Sequence, residues 1–279
     1  MSTLFVTDLD GTLLDANARL SAQSVELLRP LLREGLQLAA ATARSPATVV
    51  QLLRPLSLSA PAVLMTGTML YDLAASRCLA TTPISRHAVD ALCEFLEYTG
   101  QEALAYCVRD GQLTVYYKEI ACEFERTFIS RRTGTLYKSF VQTDSYPRAL
   151  SGCDVLLFMF ALPDRQQAEA LQAALSDVPE IYCHYYADEY GSGGYILELF
   201  PEGCTKASAL TRIMELTGTQ RIVSFGDNIN DIPMFRMSAH SCAVANAVPQ
   251  ARGAASEVIG ANTQDGVARW LTAHWREWQ

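Results

Sequence analysis

Residues 5–15 constrain the fold of this chain more than any other stretch. An apolar run stops at Asp8-Leu9-Asp10, and a glycine follows directly. Apolar runs of this length that end at a glycine are typical of buried strands. A strand that ends in polar residues suits an open α/β sheet, whose ligands bind beyond the carboxyl ends of the strands. We therefore predict an α/β fold with a ligand site at the end of the first strand.

The two aspartates at the end of this run define the candidate site. Asp8 and Asp10 are two residues apart, and side chains at that separation on an extended chain point the same way. We expect both carboxylates to enter one pocket, where they would repel each other and would be costly to remove from water. A cation or a shared proton would compensate. The alternative is a solvated acidic turn, since Asp-Gly is common in turns.

Composition and charge argue against several classes of function. The 279 residues are 49% apolar and carry a formal net charge of −8, which permits a full core and disfavours nucleic acid as a partner. The apolar stretches are too short to span a membrane, and no signal peptide precedes the first strand. The eight cysteines form no Cys-x-x-Cys pair, which indicates reduced thiols in a cytoplasmic protein. The four histidines are isolated, show no metal-ligand spacing and are expected to be surface or satisfied core residues. We expect a monomer or a small homo-oligomer.

Predicted strands and helices alternate at both ends of the chain. The segments with strand or helix periodicity are 21–35, 36–41, 46–54, 62–66, 205–216, 221–225, 243–244 and 266–278. Such alternation predicts a parallel sheet with right-handed crossovers. Between these segments, paired strands and helices suggest an α+β module with an antiparallel sheet. We predict a core domain of residues 1–82 and 200–279, and an inserted domain at 83–199.

Polar residues stand at four predicted strand ends or helix starts. Besides the two aspartates, these are Thr42, Lys206 in the first turn of its helix, and the segment 226–231. A lysine there opposes the positive end of the helix dipole, and it becomes reasonable if an anion lies between the two. A surface lysine is the alternative.

The ordered motifs resemble those of the haloacid dehalogenase-like phosphatase superfamily. Asp-Leu-Asp-Gly-Thr-Leu-Leu at 8–14 is similar to its first motif, Thr42 to its second, Lys206 to its third and Gly226-Asp227-Asn228-Ile229-Asn230-Asp231 to its fourth. The form Gly-Asp-x-x-Asn-Asp is similar to the Cof-type subgroup (class IIB), whose α/β cap is inserted between the second and third motifs. The resemblance covers the whole chain. It implies a Rossmann-like parallel-sheet core domain with an inserted α+β cap domain.

The resemblance also implies a mechanism that uses Mg2+. Asp8 would be the nucleophile and would form an aspartyl-phosphate, and Asp10 would be the general acid and base. Mg2+ would be bound by the carboxylates of Asp8 and Asp227 and by the backbone carbonyl of Asp10. Asp231 would support these ligands and orient Lys206.

The phosphoryl oxygens would be held, by the same resemblance, by Thr42, Lys206 and the backbone of Leu9 and Ala43. Asn230 would contact the phosphate or the residues around it. Two positions depart from the family pattern. Family members often have glycine where this chain has Ala43, and many relatives have Asn-Gly-Ala where it has residues 66–68, Thr-Gly-Thr.

We therefore predict a cytoplasmic, Mg2+-dependent phosphatase of small phosphorylated metabolites, with sugar phosphates as the leading class. One alternative is a phosphomutase of the same superfamily, and another is a phosphosugar-binding regulator without turnover. In the inserted module Tyr185, Tyr186, Arg131 and Arg132 could face the substrate or serve as ordinary surface residues.

Overall fold

The computed structural model describes residues 2–120, 123–130, 133–188 and 194–279. Arg131 and Arg132, two of the side chains proposed to face the substrate, lie outside these residues. The chain separates into two compact units, Met1–Ala80 with Thr205–Gln279 and Thr81–Cys204. The predicted inserted domain, residues 83–199, falls within the second unit.

The secondary structure over the described residues consists of strands, helices and short helical turns. The strands are β1 (Thr3–Thr7), β2 (Leu38–Ala40), β3 (Ala62–Leu64), β4 (Met69–Asp72), β5 (Arg77–Thr81), β6 (Leu104–Arg109), β7 (Gln112–Tyr117), β8 (Ser139–Gln142), β9 (Asp154–Leu162), β10 (Ile181–Ala187), β11 (Tyr195–Pro201), β12 (Arg221–Gly226), β13 (His240–Val244) and β14 (Glu257–Ile259). The helices are α1 (Ala22–Arg33), α2 (Pro46–Leu53), α3 (Arg86–Thr99), α4 (Glu123–Ser130), α5 (Tyr146–Ala149), α6 (Arg165–Ala174), α7 (Lys206–Thr217), α8 (Ile232–Met237), α9 (Pro249–Ala254) and α10 (Gly266–His274). Short turns of helix occupy Leu9–Leu13, Arg54–Leu56, Met65–Gly67, Ile229–Asp231, Asn262–Gln264 and Trp275–Trp278.

A five-stranded parallel sheet forms the centre of the first unit. Its strand order is β14-β13-β12-β1-β2, and every neighbouring pair is parallel. The two central strands are almost wholly buried, which is expected of a parallel sheet covered by helices on both faces. The predicted α/β class is confirmed, and the sequence halves that flank the inserted segment build one sheet.

Two helices of this unit, α1 and α7, begin where a side chain satisfies one of their first backbone N–H groups. Ser21 caps α1 by accepting a hydrogen bond from the Ser24 backbone N–H at 2.8 Å, and Ser24 itself donates to Asp265. Thr205 caps α7, and its capping box with Ser208 satisfies two orphan groups.

The third predicted strand does not join the parallel sheet as expected. β3 touches the sheet through a single parallel bridge, Ala41 to Val63, and pairs with β4 in antiparallel fashion. Met65 and Thr66 both have positive φ, so the chain reverses directly after β3. The result is a separate three-stranded sheet, β3-β4-β5. Its last two strands cover residues for which the sequence predicted no element.

The second unit is a six-stranded sheet with helices. Its order is β10-β11-β9-β6-β7-β8, and the predicted hairpin of β6 and β7 turns at Asp110 and Gly111, whose positive φ angles suit a two-residue turn. The sheet is mixed rather than antiparallel, because β7 and β8 are parallel. The chain passes through α4 between these two strands, and parallel neighbours require such a crossover.

The described part of the chain contains no helix that is both long enough and apolar enough to cross a membrane. The predicted C-terminal helix at 266–278 is divided, since α10 ends at His274 and a 3₁₀ turn follows.

Candidate active site

The ends of the two central strands bring the first and fourth motifs together. Thr7 of β1 lies in register with Phe225 of β12, and the backbone N–H of Asp8 donates to the Phe225 carbonyl at 2.9 Å. Asp8 and Asp227 each follow the last residue of their strand. Residues more than two hundred positions apart in sequence therefore share the carboxyl edge of one sheet.

Lys206 is the centre of a buried ion-pair network at this edge. Its Nζ lies 2.6 Å from Oδ1 of Asp8 and 2.7 Å from Oδ1 of Asp231, and only 2% of its side chain is exposed. Burial disfavours the charged lysine, but the two carboxylates outweigh that effect and raise the pKa of Lys206. A buried lysine with two ion-pair partners stays protonated, so the surface alternative is wrong for this residue.

Asp231 is wholly buried, and both of its carboxylate oxygens accept from N–H donors. Oδ1 accepts from Lys206, and Oδ2 accepts from the backbone N–H groups of Asp227 at 3.0 Å and Asn228 at 3.1 Å. The segment must fold closely for this, since a Cβ at Gly226 would lie 2.6 Å from Cβ of Asp231. Asp231 thus fixes the lysine and the loop that carries Asp227.

Asp227 is held by the turn of the first motif. Thr12 donates from Oγ1 to Oδ1 of Asp227 at 2.8 Å. Gly11 has φ +75°, and a Cβ there would lie 2.5 Å from Oδ2 of the same carboxylate. A side chain at position 11 would therefore both strain the backbone and displace Asp227.

The buried carboxylates form a donor set that fits a hard divalent cation. One oxygen from each of Asp8, Asp227 and Asp231 lies within 4.8 Å of the others. Burial raises the pKa of Asp8 to about 8, against the opposing effect of Lys206, and Asp231 and Asp227 raise it further. Burial likewise raises the pKa of Asp227. The oxygens of Asp231 are already engaged, so Asp8 and Asp227 are the carboxylates suited to a cation such as Mg2+, which prefers oxygen ligands.

Asp10 does not share the environment of Asp8. β1 ends at Thr7, and Asp10 lies in the turn that follows, directly before Gly11 with its φ of 75°. Its side chain is 46% exposed and accepts from Arg44 at both oxygens. Asp8 groups with Asp227 and Asp231, and Asp10 with Arg44, so the two carboxylates have different ion-pair partners. That both enter one pocket stays a prediction.

The predicted phosphate-binding residues lie on the loops around this edge. Thr42 is buried, donates its backbone N–H to Val63, and accepts from the Arg44 backbone N–H at Oγ1. Ala43 is exposed, and its φ is not positive, so the alanine carries no left-handed strain. Leu9 is buried and Asn230 is exposed.

A sequence profile of haloacid dehalogenase-like hydrolases matches residues 5–271, a span that includes the whole buried network. The chain belongs to this family. The four motifs in order, with a second unit between the second and third, place the hydrolase among the Cof-type members.

Several relatives of this hydrolase are named phosphatases. A pyridoxal phosphate phosphatase of Escherichia coli is 27% identical over 96% of each chain. A 5-amino-6-(5-phospho-D-ribitylamino)uracil phosphatase of Bacillus subtilis is 26% identical over 95% of each chain. An HMP-PP phosphatase of Serratia proteamaculans is 27% identical over 99% of this chain and 96% of the other. The family match and these named phosphatases show that the protein is a phosphoric monoester hydrolase.

Solved structures show the same fold. A haloacid dehalogenase-like hydrolase from Bacteroides thetaiotaomicron superposes with a TM-score of 0.77 at 21% identity, over 98% of this chain and 99% of the other. A subclass IIB sugar phosphatase of the superfamily superposes with a TM-score of 0.71 at 20% identity, over 98% of each chain.

Several residues that support the site of this hydrolase were missed by the sequence analysis. Arg44 binds Asp10, Thr12 binds Asp227, and Asn246 donates from Nδ2 to the Gly11 carbonyl at 2.8 Å. Arg44 carried a signal, since a charged residue two positions after Thr42 stands at a predicted strand end. Asn246 carried none, because its partner is 235 residues away.

The departure at residues 66–68 has a structural consequence. Met65, Thr66 and Gly67 have consecutive positive φ angles of 50°, 60° and 109°. This backbone is unfavourable for the β-branched Thr66. At Gly67 an added Cβ would lie 2.4 Å from the Thr205 carbonyl oxygen, so the loop packs directly on the start of α7. The glycine thus permits the close approach that positions Lys206.

Proposed function

We propose that this hydrolase is a Mg2+-dependent phosphatase that cleaves small phosphorylated metabolites through an aspartyl-phosphate on Asp8. The observation that carries the proposal is the buried lysine that bridges Asp8 and Asp231, with Asp227 beside them. This network directs one carboxylate oxygen of Asp8 toward the lysine, whose positive charge can compensate phosphate charge. Such compensation and positioning are most of what phosphoryl transfer requires.

Mg2+, bound by Asp8, Asp227 and the Asp10 carbonyl, would neutralise negative charge on the phosphoryl group and on the two aspartates. Lys206, Thr42 and the backbone N–H groups of Leu9 and Ala43 would hold the phosphoryl oxygens.

The chain's own carboxylates account for both chemical steps. An oxygen of Asp8 attacks phosphorus, the bond from phosphorus to the ester oxygen breaks, and protonated Asp10 gives its proton to that departing oxygen. Asp10, now ionised, takes a proton from water as the water attacks phosphorus and releases Asp8. Inorganic phosphate and the alcohol are the products, and Asp10 ends protonated as it began.

The substrate class follows from the relatives and from the second unit. Sugar phosphates remain in the proposal, and the named substrates pyridoxal phosphate and the phosphoribitylaminouracil add phosphate esters that carry a nitrogen heterocycle. In the second unit Tyr182, His184 and Tyr186 form a stacked row along β10, with ring centroids 6.3 and 5.8 Å apart. Tyr185 points to the other face and donates to Glu169. We propose that the second unit selects among substrates and that this row can stack on a ring.

The test combines a substrate panel with trapping of the intermediate. We expect activity on members of a panel of sugar phosphates, pyridoxal phosphate and aryl phosphate, and loss of this activity after exhaustive chelation. Asp8→Asn should form no phosphoryl-enzyme on acid quench. Asp10→Asn should form the phosphoryl-enzyme from an aryl phosphate. It should then hydrolyse this intermediate about 10²- to 10⁴-fold more slowly than the wild type does. The exposed Asp177→Asn is the matched control.

Two results would overturn parts of the proposal. Full activity after chelation would exclude the requirement for a cation. Equal losses of Asp10→Asn on aryl and alkyl substrates, without a trapped intermediate, would contradict the assigned roles. Phosphate transfer to a second sugar hydroxyl would favour the phosphomutase, and binding without turnover would favour the regulator.

A further inference from the structure

A second cluster of metal-ligating side chains lies in the same sheet, away from the catalytic edge. His240 and Cys242 are two residues apart on β13 and therefore share a face of that strand, and Cys242 lies in register with Glu257 on β14. His240 itself is in register with Val223, three residues before the strand end at Gly226. Cys242 is in register with Phe225, one residue before that strand end, so the cluster lies on strands beside β12 and shares no residue with the catalytic carboxylates.

The three side chains converge on one small volume. Nε2 of His240 lies 2.8 Å from Oε1 of Glu257, and Sγ of Cys242 lies 3.5 Å from the same oxygen. The three ligand atoms all lie within 4.8 Å of one another. Zinc binds imidazole nitrogen, thiolate and carboxylate oxygen at about 2.0–2.3 Å in tetrahedral geometry, so its ligands lie about 3.3–3.8 Å apart. Shifts of up to about an ångström would bring these atoms to that spacing.

Neighbouring aromatic residues hold two of the ligands in place. Trp270 of α10 donates from Nε1 to Oε1 of Glu257 at 2.6 Å. Its ring also stacks on the His240 imidazole, with centroids 5.7 Å apart and 18° between the planes. The Trp278 ring also lies against the His240 imidazole, with centroids 5.2 Å apart. Hydrogen bonds and packing that orient metal ligands are a usual feature of metal sites.

Access and charge also suit a divalent ion of the zinc type. Cys242 is buried, but the side chains of His240 and Glu257 are 23% and 41% exposed, so an ion can enter from solvent. If the thiol gives its proton to solvent as the ion binds, one thiolate and one carboxylate neutralise the two positive charges. Mg2+ prefers oxygen ligands, so a site that contains sulfur and nitrogen would not draw Mg2+ away from the catalytic carboxylates.

We propose that His240, Cys242 and Glu257 form a site for a divalent ion of the zinc type, with a fourth position open to water. This site is distinct from the carboxylates of the catalytic edge and does not depend on the proposed function.

The test is titration of the full-length protein, freed of metal, with Co2+ and then Zn2+. We expect one equivalent of Co2+ to give the near-ultraviolet charge-transfer absorption of a cobalt–thiolate bond, and Zn2+ to abolish it by displacement. Cys242→Ser should remove the absorption. Cys93→Ser, which alters another buried thiol, is the matched control and should retain it. Asp8→Asn should retain it as well.

A second variant guards against a folding defect in Cys242→Ser. Glu257→Gln alters a partly exposed position and keeps an acceptor for the Trp270 N–H, and we expect it to weaken Zn2+ binding at least tenfold. Circular dichroism would establish that both variants are folded. The proposal is overturned if no cobalt–thiolate absorption forms, if the absorption survives in Cys242→Ser, or if Asp8→Asn abolishes it.

Discussion

Arg44 donates from Nε and Nη2 to the two carboxylate oxygens of Asp10, and both distances are 2.6 Å. The two N–H groups of a guanidinium match the two oxygens of a carboxylate in this way. The Arg44 side chain is 21% exposed. Both oxygens of the proposed proton donor are thereby engaged, and the side chain has a fixed orientation. Arg44 thus sets the direction from which an oxygen of Asp10 can meet a leaving group.

Replacing Arg44 should therefore impair the step that needs Asp10. We expect Arg44→Ala to lower kcat on an alkyl phosphate by about 10- to 100-fold, since hydrogen bonds to charged groups are worth about 1.5–3 kcal/mol. The loss on an aryl phosphate should be smaller, because that leaving group needs little protonation. Arg44→Lys should recover little, since an ammonium cannot form the same fork. Steady-state kinetics on the two substrates measure the difference.

The matched control is Arg54, an exposed arginine in the same unit as Arg44. Arg54→Ala should leave both rates unchanged. A faster alkyl phosphatase, or an equal loss on both substrates, would show that Arg44 does not position Asp10.

Lys206 should be essential for stability as well as for activity. Lys206→Met leaves Asp8 and Asp231 buried without their cation, and breaking a buried pair in this way costs about 3–5 kcal/mol. Adding Asp231→Asn removes one of the uncompensated charges, so the double variant should recover part of the loss. Urea unfolding at pH 8 measures both effects. A double variant less stable than the single one would argue against charge as the cause. Lys118→Met, at a partly exposed lysine of the second unit, is the control.

Gly67 and Gly35 separate backbone strain from steric conflict. Their φ angles, 109° and 103°, are nearly equal, but a Cβ at Gly67 would meet the Thr205 carbonyl at 2.4 Å, and one at Gly35 would meet nothing within 4 Å. We expect Gly67→Ala to lower the unfolding free energy by about 1–3 kcal/mol more than Gly35→Ala does. Only Gly67→Ala should also lower kcat, since it displaces the start of α7. Equal effects of the two variants would refute this explanation.

Glu198 should make the second unit less stable as the pH rises. Burial raises the pKa of this carboxyl to about 7 from its ordinary value of 4.5, although a hydrogen bond from Tyr186 opposes the shift. Between pH 4.5 and about 7 the folded state then binds more protons than the unfolded state, so stability falls through this window and is level above it. We expect wild-type protein to lose about 1–3 kcal/mol more than Glu198→Gln between pH 5 and pH 8. Denaturant unfolding at the two pH values measures this. Parallel pH profiles would contradict the assignment.

Local patterns in the sequence were sufficient for the elements and for the positions of the motifs. The apolar run before Asp8 predicted β1, and the helical periodicity of 21–35 and 205–216 predicted α1 and α7. These predictions succeed because strand burial and helix capping depend on neighbouring residues. The order of the motifs also predicted the family. The path of the chain after β3 was not predictable in this way, since the reversal depends on left-handed residues at Met65 and Thr66, which have no left-handed propensity.

The sequence by itself determined which chemical groups stand at the strand ends: two aspartates, a threonine, a lysine and a second acidic loop. Only the tertiary structure decided how these groups are paired. Lys206 bridges Asp8 and Asp231, and Arg44 forms an ion pair with Asp10. The physical reason is that each pairing joins residues 25 to 198 positions apart, through contacts that exist only once the parallel strands lie side by side. The same reason applies to His240, which is isolated in the sequence and lies 2.8 Å from Glu257 in the folded sheet.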